Sequence, residues 1–181
     1  MLPYDPIGLD LSLTSTGIAV GDITLTIEPK ALKGVERLIY IRNRVTNEVQ
    51  SQAEREKLTP LVLVEGYSFA SRNSRSHSLG ELGGVVRVDL WEAGFPFVEI
   101  PPTVRAKFAT GRGNAGKSEV VSAISARTGI TWEGPGSEDR CDAWILQEIG
   151  RTRLGRARYD WPAANLAALD KIEWPLFITL S

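Results

Sequence analysis

Four acidic residues stand where carboxylates could act together on metal ions, namely Asp10, Glu65, Asp139 and Asp142. Asp10 closes one apolar run and Glu65 closes another, while Asp139 and Asp142 are spaced to share one helix face. Clustered carboxylates repel one another unless cations neutralise them. Two divalent ions about 4 Å apart form a centre that cleaves phosphodiesters. If the fold brings the four acids together, they predict that chemistry.

Each acid also has a purely structural interpretation. Asp10 could accept hydrogen bonds from the backbone amides of the turn that follows it. Glu138 and Asp139 could complement the dipole of a helix that begins at Ser137. Asp142 fits that interpretation less well because it lies further along the helix, and Glu65 needs a partner at the end of a buried strand. The choice depends on whether the four side chains converge.

Composition narrows the metal and the class of protein. The 181 residues, 43% of them hydrophobic and 24% charged, are typical of one soluble domain with its own core. The single cysteine, Cys141, excludes an internal disulfide framework and is typical of a reducing cytosol, so we expect a cytoplasmic location, in the host if the chain is phage-encoded. The single histidine, His77, excludes a histidine cluster. Carboxylates must therefore hold any metal, which favours Mg²⁺ or Mn²⁺, and no apolar run is long enough to span a membrane.

The order of apolar patterns predicts an α/β fold. Strands are expected at residues 4–10, 17–20, 22–28, 61–65 and 95–100, and helices at 34–57, 79–94, 104–110, 118–128 and 137–149. The first three strands would be antiparallel and the last two parallel, in one mixed sheet flanked by helices. With the first strand central, all four acids reach one edge. We expect residues 1–155 to form the domain and 156–181, with a helix around 163–172, to form a tail packed on it.

Residues 111–118 match G-x-x-x-x-G-K-S, the phosphate-binding loop of nucleotide hydrolases. That loop requires a strand immediately before it, whereas the segment that follows Pro101 and Pro102 has a helical pattern. A nucleotide-binding protein remains an alternative. A basic, glycine-rich turn before a helix also suits the phosphates of a nucleic-acid backbone.

Several cations are candidates for contact with nucleic acid. They are Lys107, Arg112 and Lys117, together with Arg72 and Arg75 in an exposed loop predicted at 68–78. Residues 151–158 add four arginines, although all of these charges could simply be solvated. The net charge of −1 shows that the chain is no uniformly basic binder, so the segregation of charge matters more than its sum.

The order and spacing of these segments resemble the RuvC-type Holliday-junction resolvases of the RNase H-like superfamily. The matching segments are IGLDLSLTSTGIAV, LVLVEGYSF, LGELGGVVR, PPTVRAKFATGRGNAGKSEVV and EDRCDAWIL, within residues 7–149. The resemblance implies an RNase H-like fold and a role in DNA recombination and repair. It implies that Asp10, Glu65, Asp139 and Asp142 hold two Mg²⁺ or Mn²⁺ ions. It also implies that Lys117 contacts the DNA backbone or the scissile phosphate.

The same resemblance implies a homodimer that nicks symmetric strands of a four-way junction, as a crossover junction endodeoxyribonuclease. Gly80, Gly83 and Gly84 would then lie at or near the dimer contact. Tyr67 and Phe69 are the candidates for an aromatic side chain that enters the junction. Phosphate neutralisation dominates the affinity of DNA-binding proteins. The nearly neutral charge departs from that expectation. The divergent motifs and the short chain suggest a remote or phage-borne member with a broader substrate range, including flaps, forks and single strands.

Two further alternatives use the same residues. The pattern D-x-S-x-T-x-T from Asp10 also resembles the phosphate loop of actin-like ATPases, which need two such domains where 181 residues hold one. A catalytically silent DNA-binding or scaffold protein with this fold would bind branched DNA and never cut it. Such a protein would bind branched DNA equally well with or without Asp10, whereas substitution of Asp10 would abolish cleavage by a nuclease.

Overall fold

A computed structural model describes residues 3–66 and 74–179, with the side chains of 74–78, 177 and 179 outside the description. The strands are β1 (Tyr4–Asp10), β2 (Thr16–Val20), β3 (Ile23–Ile27), β4 (Thr59–Glu65) and β5 (Phe97–Ile100). The longer helices are α1 (Gly34–Glu56), α2 (Ser74–Glu92), α3 (Pro102–Thr110), α4 (Lys117–Thr128) and α5 (Ser137–Arg153). Two single-turn helices, α6 (Ala163–Leu166) and α7 (Leu176–Thr179), flank a 3-10 turn at Leu169–Lys171.

Within these residues, one five-stranded sheet has the order β3-β2-β1-β4-β5. The strand β1 is central: it pairs antiparallel with β2 and parallel with β4. The outer pairs are β2 with β3, antiparallel, and β4 with β5, parallel. The predicted mixed sheet, with three antiparallel strands followed by two parallel ones, is confirmed.

Helices cover both faces of the sheet. On one face, α1 and α2 pack with Val62 and Val64 of β4 in one buried cluster. On the other face, Leu61 and Leu63 pack with α3, α4 and α5, because successive side chains of a strand point to opposite sides. Trp161 and residues further along the chain join this second cluster. Among the described residues, no helix is long and apolar enough to cross a membrane.

Glycines let α5 lie directly against β1 and β2. A Cβ atom on Gly8 would come within 1.8 Å of the carbonyl oxygen of Ala143, and one on Gly17 within 2.1 Å of the carbonyl oxygen of Asp139. On the helix itself, a Cβ atom on Gly150 would meet Leu63 Cδ1 at 2.6 Å. At Gly8 and Gly17 the close neighbours are backbone atoms, so no larger residue fits there without displacing the helix. The three glycines therefore fix the height of α5 above the sheet.

Two elements differ from the sequence prediction. The loop predicted at 68–78 is wrong in its last part, because α2 begins at Ser74. Those polar residues carry no apolar periodicity that would have indicated a helix. The helix predicted around 163–172 is instead α6 followed by the 3-10 turn. Asn165 is buried there and donates Nδ2–H to the Phe108 carbonyl oxygen at 2.7 Å, so this segment follows the surface of the domain.

Candidate active site

The pairing of β1 with β4 brings the first two acids together. Leu9 is in register with Val64, so Asp10 and Glu65 follow at the same level, at the carboxyl ends of neighbouring parallel strands. Such strands lie about 4.8 Å apart. Asp10 lies two residues after Gly8 on β1, so both positions point to the same face of the sheet, and Gly8 faces α5. Both acids therefore lie at the sheet edge that α5 covers.

The first turns of α5 carry the other two acids to the same place. Asp139 and Asp142 are separated by about one helical turn. The Asp139 backbone lies against Gly17 of β2, which is the residue paired with Asp10 of β1. The Asp142 side chain is 5% exposed and that of Asp139 is 20% exposed. The structure thus brings Asp139 and Asp142 beside the ends of β1 and β4.

Burial and mutual repulsion raise the pKa of Asp10 well above its ordinary value. Burial is the largest cause, followed by the negative charges of Glu65 and Asp142, with a smaller contribution from Asp139. Each of the other three acids therefore lies within electrostatic reach of Asp10. Asp10 forms no ion pair with any residue in the described part of the chain. The charge of Arg105 opposes the rise in pKa without pairing with Asp10, and the like charges and burial outweigh it.

Arg105 of α3 lies among the acids. Its Nε–H donates to Glu65 Oε1 at 2.6 Å, and its Nη1–H donates to Asp142 Oδ1. Burial acts to lower the pKa of Arg105, but the charges of Glu65 and Asp142 outweigh that effect and raise it. The guanidinium is therefore a permanent cation that joins a residue at the end of β4 to a residue of α5.

The positive charges near Asp142 do not fully offset its burial and the negative charges around it. Burial raises the pKa of Asp142 to about 6, with Arg105 opposing this shift and Glu65 adding to it. Lys117 also lowers this pKa, and Asp139 raises it. The cluster holds four carboxylates around one buried guanidinium. It therefore carries the excess of negative charge that a divalent ion would neutralise.

The donor set fits a hard divalent ion in its chemistry. Carboxylate oxygens are the ligands that Mg²⁺ and Mn²⁺ prefer. Among residues 3–66 and 74–179, however, no three acidic, cysteine or histidine side chains are grouped as they would be around a metal ion. Arg105 holds two of the four acids, Glu65 and Asp142. The assignment of all four acids as metal ligands remains a prediction.

The residues predicted to contact DNA lie at different places relative to this cluster. Lys117 is the first residue of α4, and its Nζ lies 3.8 Å from Glu138 Oε2 and 3.9 Å from Asp139 Oδ1. Arg112, in the loop before α4, is exposed and bonds to Glu119 in the first turn of α4. The remaining candidates are Lys107, which is partly buried on α3; Arg75, whose side chain is not described; and Tyr67, Phe69 and Arg72, which lie outside the described residues.

The surroundings of residues 111–118 differ from those of a nucleotide-binding loop. The segment before them is α3, which ends at Gly111 with a left-handed φ of 82°. The helix predicted there is confirmed. The strand that a phosphate-binding loop requires is therefore replaced by a helix. The motif instead forms a turn between two helices, with Lys117 at its end.

Comparison with known proteins gives one consistent result. No protein-family model matches the chain. The crossover junction endodeoxyribonuclease RuvC of Synechococcus sp. (strain CC9311) is 28% identical over 158 residues, which is 80% of this chain and 96% of that protein. The protein of the same name from Sorangium cellulosum (strain So ce56) is 34% identical over 105 residues, covering 58% of this chain and 54% of that one. The chain is thus similar to two proteins named RuvC.

Solved structures support the same fold. Thermus thermophilus RuvC matches with a TM-score of 0.61 and 22% identity, over 86% of this chain and 99% of that one. The structure of the same protein in complex with a Holliday junction substrate matches equally well, over 98% of its chain. The mixed sheet and its flanking helices are thus the RNase H-like fold of RuvC.

Sequence analysis missed Arg105. A basic residue in a short helix is usually assigned to solvent, yet Arg105 lies between Val104 and Ala106, both buried, and three residues before the buried Phe108. Apolar neighbours on both sides were the available signal. Its pairing with Glu65 and Asp142 depends on tertiary packing, which the sequence pattern does not report.

Proposed function

We propose that this RuvC relative is a metal-dependent endonuclease that cleaves branched DNA and resolves four-way junctions by paired symmetric nicks. The observation that carries the proposal is the convergence of four acids at one edge of an RNase H-like sheet. The names of the two sequence relatives support the reaction, and the structural relative bound to a Holliday junction supports the substrate. We place the activity in the cytoplasm, where such DNA would be met.

In this proposal Asp10, Glu65, Asp139 and Asp142 would hold two ions. Bound Mg²⁺ or Mn²⁺ would lower the pKa of a nucleophilic water and stabilise the leaving oxygen. Burial of Asp10 excludes bulk water from its carboxylate, which strengthens its attraction for a cation. The α5 helix, held by Gly17, fixes Asp139 relative to Asp10.

Cations beside the acids would bind the DNA. Lys117 lies at the rim of the cluster, near Asp139, where its ammonium could neutralise a phosphate next to the scissile bond. Arg112 lies five residues before Lys117 in the sequence and is 66% exposed, and it would contact the DNA backbone further along. Phosphate contacts of this kind position the substrate without reading its sequence.

Apolar surface on α1 and α2 supports a homodimer. Val88 and Trp91 of α2 are 58% and 75% exposed, and Val35 of α1 is 68% exposed. A groove of about 800 Å³ between the two helices is lined by Val35 and Val88 among others. A Cβ atom on Gly84 would meet no atom within 4 Å, so a second copy could approach that face of α2 closely.

A broader substrate range is the second candidate, and the net charge of −1 favours it. A junction resolvase must hold four arms of DNA, and phosphate neutralisation needs positive charge. A nuclease that accepts flaps, forks or single strands contacts fewer phosphates at a time. The fold and the acids would be the same in both cases.

Cleavage of a matched set of substrates tests the proposal. End-labelled immobile four-way junction, flap, fork, linear duplex and single strand are incubated with the protein in Mg²⁺ and in Mn²⁺, with an EDTA control. Paired symmetric nicks in the junction alone would establish a resolvase. Cutting of flaps and single strands as well would establish the broader nuclease. Cutting of none of them in either metal would overturn the proposal.

A further inference from the structure

The guanidinium of Arg105 lies where the carboxylates meet. Its side chain is 9% exposed, and the side chains of its partners Glu65 and Asp142 are 17% and 5% exposed. Both bonds are charge-assisted and shielded from solvent, so they are stronger than surface ion pairs. Arg105 therefore provides the positive charge at this point of the metal-free protein.

Packing holds the backbone of Arg105 in place. The α3 helix follows β5 through Pro101 and ends at Gly111, which adopts the left-handed conformation that favours glycine. Val104 and Phe108 are buried on either side of Arg105 along the helix. The side chain can therefore leave the acids only by changing its own rotamer, while α3 stays where it is.

Arg105 and a divalent ion compete for the same two carboxylates. Arg105 bonds to Glu65 Oε1 and Asp142 Oδ1, and these carboxylates are two of the four available donors. A divalent ion bound between them would repel the guanidinium at close range. Each carboxylate keeps a second oxygen, so the competition is for negative charge more than for particular atoms.

We propose that Arg105 is an internal counter-ion that occupies Glu65 and Asp142 in the metal-free protein and must release them before a divalent ion binds. The inference rests on the proposed function, since the ion is the one that the nuclease would use. Arg105 thereby lowers the apparent affinity for metal, because only the fraction of molecules in which it has moved is competent to bind. In exchange it keeps two buried carboxylates paired when no ion is present.

Calorimetric titration of the full chain with Mg²⁺ and with Mn²⁺ measures this competition. Arg105→Met removes the charge and keeps a long apolar side chain, and Arg105→Lys keeps the charge but cannot bridge two carboxylates in the same way. A buried charge-assisted pair is worth about ten- to 100-fold in an equilibrium constant. We expect Arg105→Met to bind either ion about ten- to 100-fold more tightly than wild type, and Arg105→Lys to lie between them.

Arg44→Met is the matched control, because Arg44 is half exposed on α1, on the sheet face opposite α5, and pairs with Glu48 there. We expect its metal affinity to equal that of wild type. Thermal unfolding supplies a second readout: Arg105→Met should unfold at a lower temperature than wild type in EDTA and gain more from added Mg²⁺. Equal Mg²⁺ affinity in wild type and Arg105→Met would overturn the inference.

The wild-type protein also reports directly, should Arg105→Met fail to fold. The Arg105 Nε–H bonded to Glu65 gives a ¹⁵N–¹H signal that its loss in Arg105→Lys identifies. Saturating Mg²⁺ should shift that signal and speed its exchange with solvent, and an unchanged signal would overturn the inference. If wild type and Arg105→Met bind Mg²⁺ equally well, the inference is overturned and the proposed function stands. Absence of both metal binding and DNA cleavage in wild type and Arg105→Met would overturn the proposed function as well.

Discussion

A methyl group at position 17 would force α5 away from β2. The Cβ atom of Gly17→Ala would lie 2.1 Å from the carbonyl oxygen and 2.4 Å from the carbonyl carbon of Asp139. Both are backbone atoms, so no rotamer change can relieve the overlap. Asp139 itself carries one of the four carboxylates. The substitution therefore changes the site without removing any of its charged groups.

The size of the effect follows from these distances. Carbon atoms in proteins pack at about 3.5 Å or more, so the start of α5 must move by roughly 1 Å. Overpacking of this kind typically costs about 1–3 kcal/mol of stability. A displacement of about 1 Å in a group that positions the reaction can cost about 100-fold in rate. We expect Gly17→Ala to remain folded, with unfolding free energy lowered by that amount and junction cleavage reduced about 100-fold.

Urea unfolding and the cleavage rate of an end-labelled junction measure the two effects. Gly116→Ala is the matched control, because a Cβ atom there would meet no atom within 4 Å and its φ of −73° suits alanine. We expect the control to change stability by less than about 1 kcal/mol and to keep its cleavage rate within a few-fold. Wild-type stability and wild-type cleavage in Gly17→Ala would refute the packing of α5 described above.

Three further predictions concern charge and assembly. In EDTA, the folded-state pKa of about 6 for Asp142 lies above its ordinary value of 3.8, so the folded protein binds more protons and its unfolding free energy should fall by about 2 kcal/mol between pH 4 and 7. Urea unfolding of wild type and Asp142→Asn measures this, and an identical pH dependence in the two would contradict it. Lys117→Ala should weaken junction binding and reduce the slope of affinity against salt by about 1, as measured by titration at several salt concentrations, whereas an unchanged slope would exclude a phosphate contact. Trp91→Glu should turn a dimer into a monomer in light scattering, and the same mass as wild type would place the contact elsewhere.

Sequence patterns were sufficient for the parts of the site that regular structure positions. The nearly continuous apolar run at 61–64 identifies a strand buried on both faces, so the place of Glu65 at its end could be predicted. The three-residue spacing of Asp139 and Asp142 likewise follows from helical periodicity. The confirmed strand order then puts Glu65 beside Asp10, because β1 and β4 are parallel neighbours.

Other features depend on packing that no local pattern reports. From the sequence alone, Gly8 is simply a residue with low strand propensity. The structure shows why glycine is needed there, because the Ala143 carbonyl lies against it. Arg105 has the composition of a solvated helix residue and is instead buried between two acids. The first turn of α2 consists of polar residues without apolar periodicity, which is why the sequence predicted a loop there. At Gly8 and Arg105, tertiary contacts decided what the sequence left open.

Cleavage of an immobile four-way junction by Asp10→Asn, beside wild type, tests the central claim most directly. The substitution keeps the size of the side chain and removes its charge from a position that is 7% exposed. Asp10→Asn should bind the junction as tightly as wild type, or slightly more tightly, and should not cut it in Mg²⁺ or Mn²⁺. Cleavage at the wild-type rate would contradict the account, because the four acids would then not form the catalytic centre.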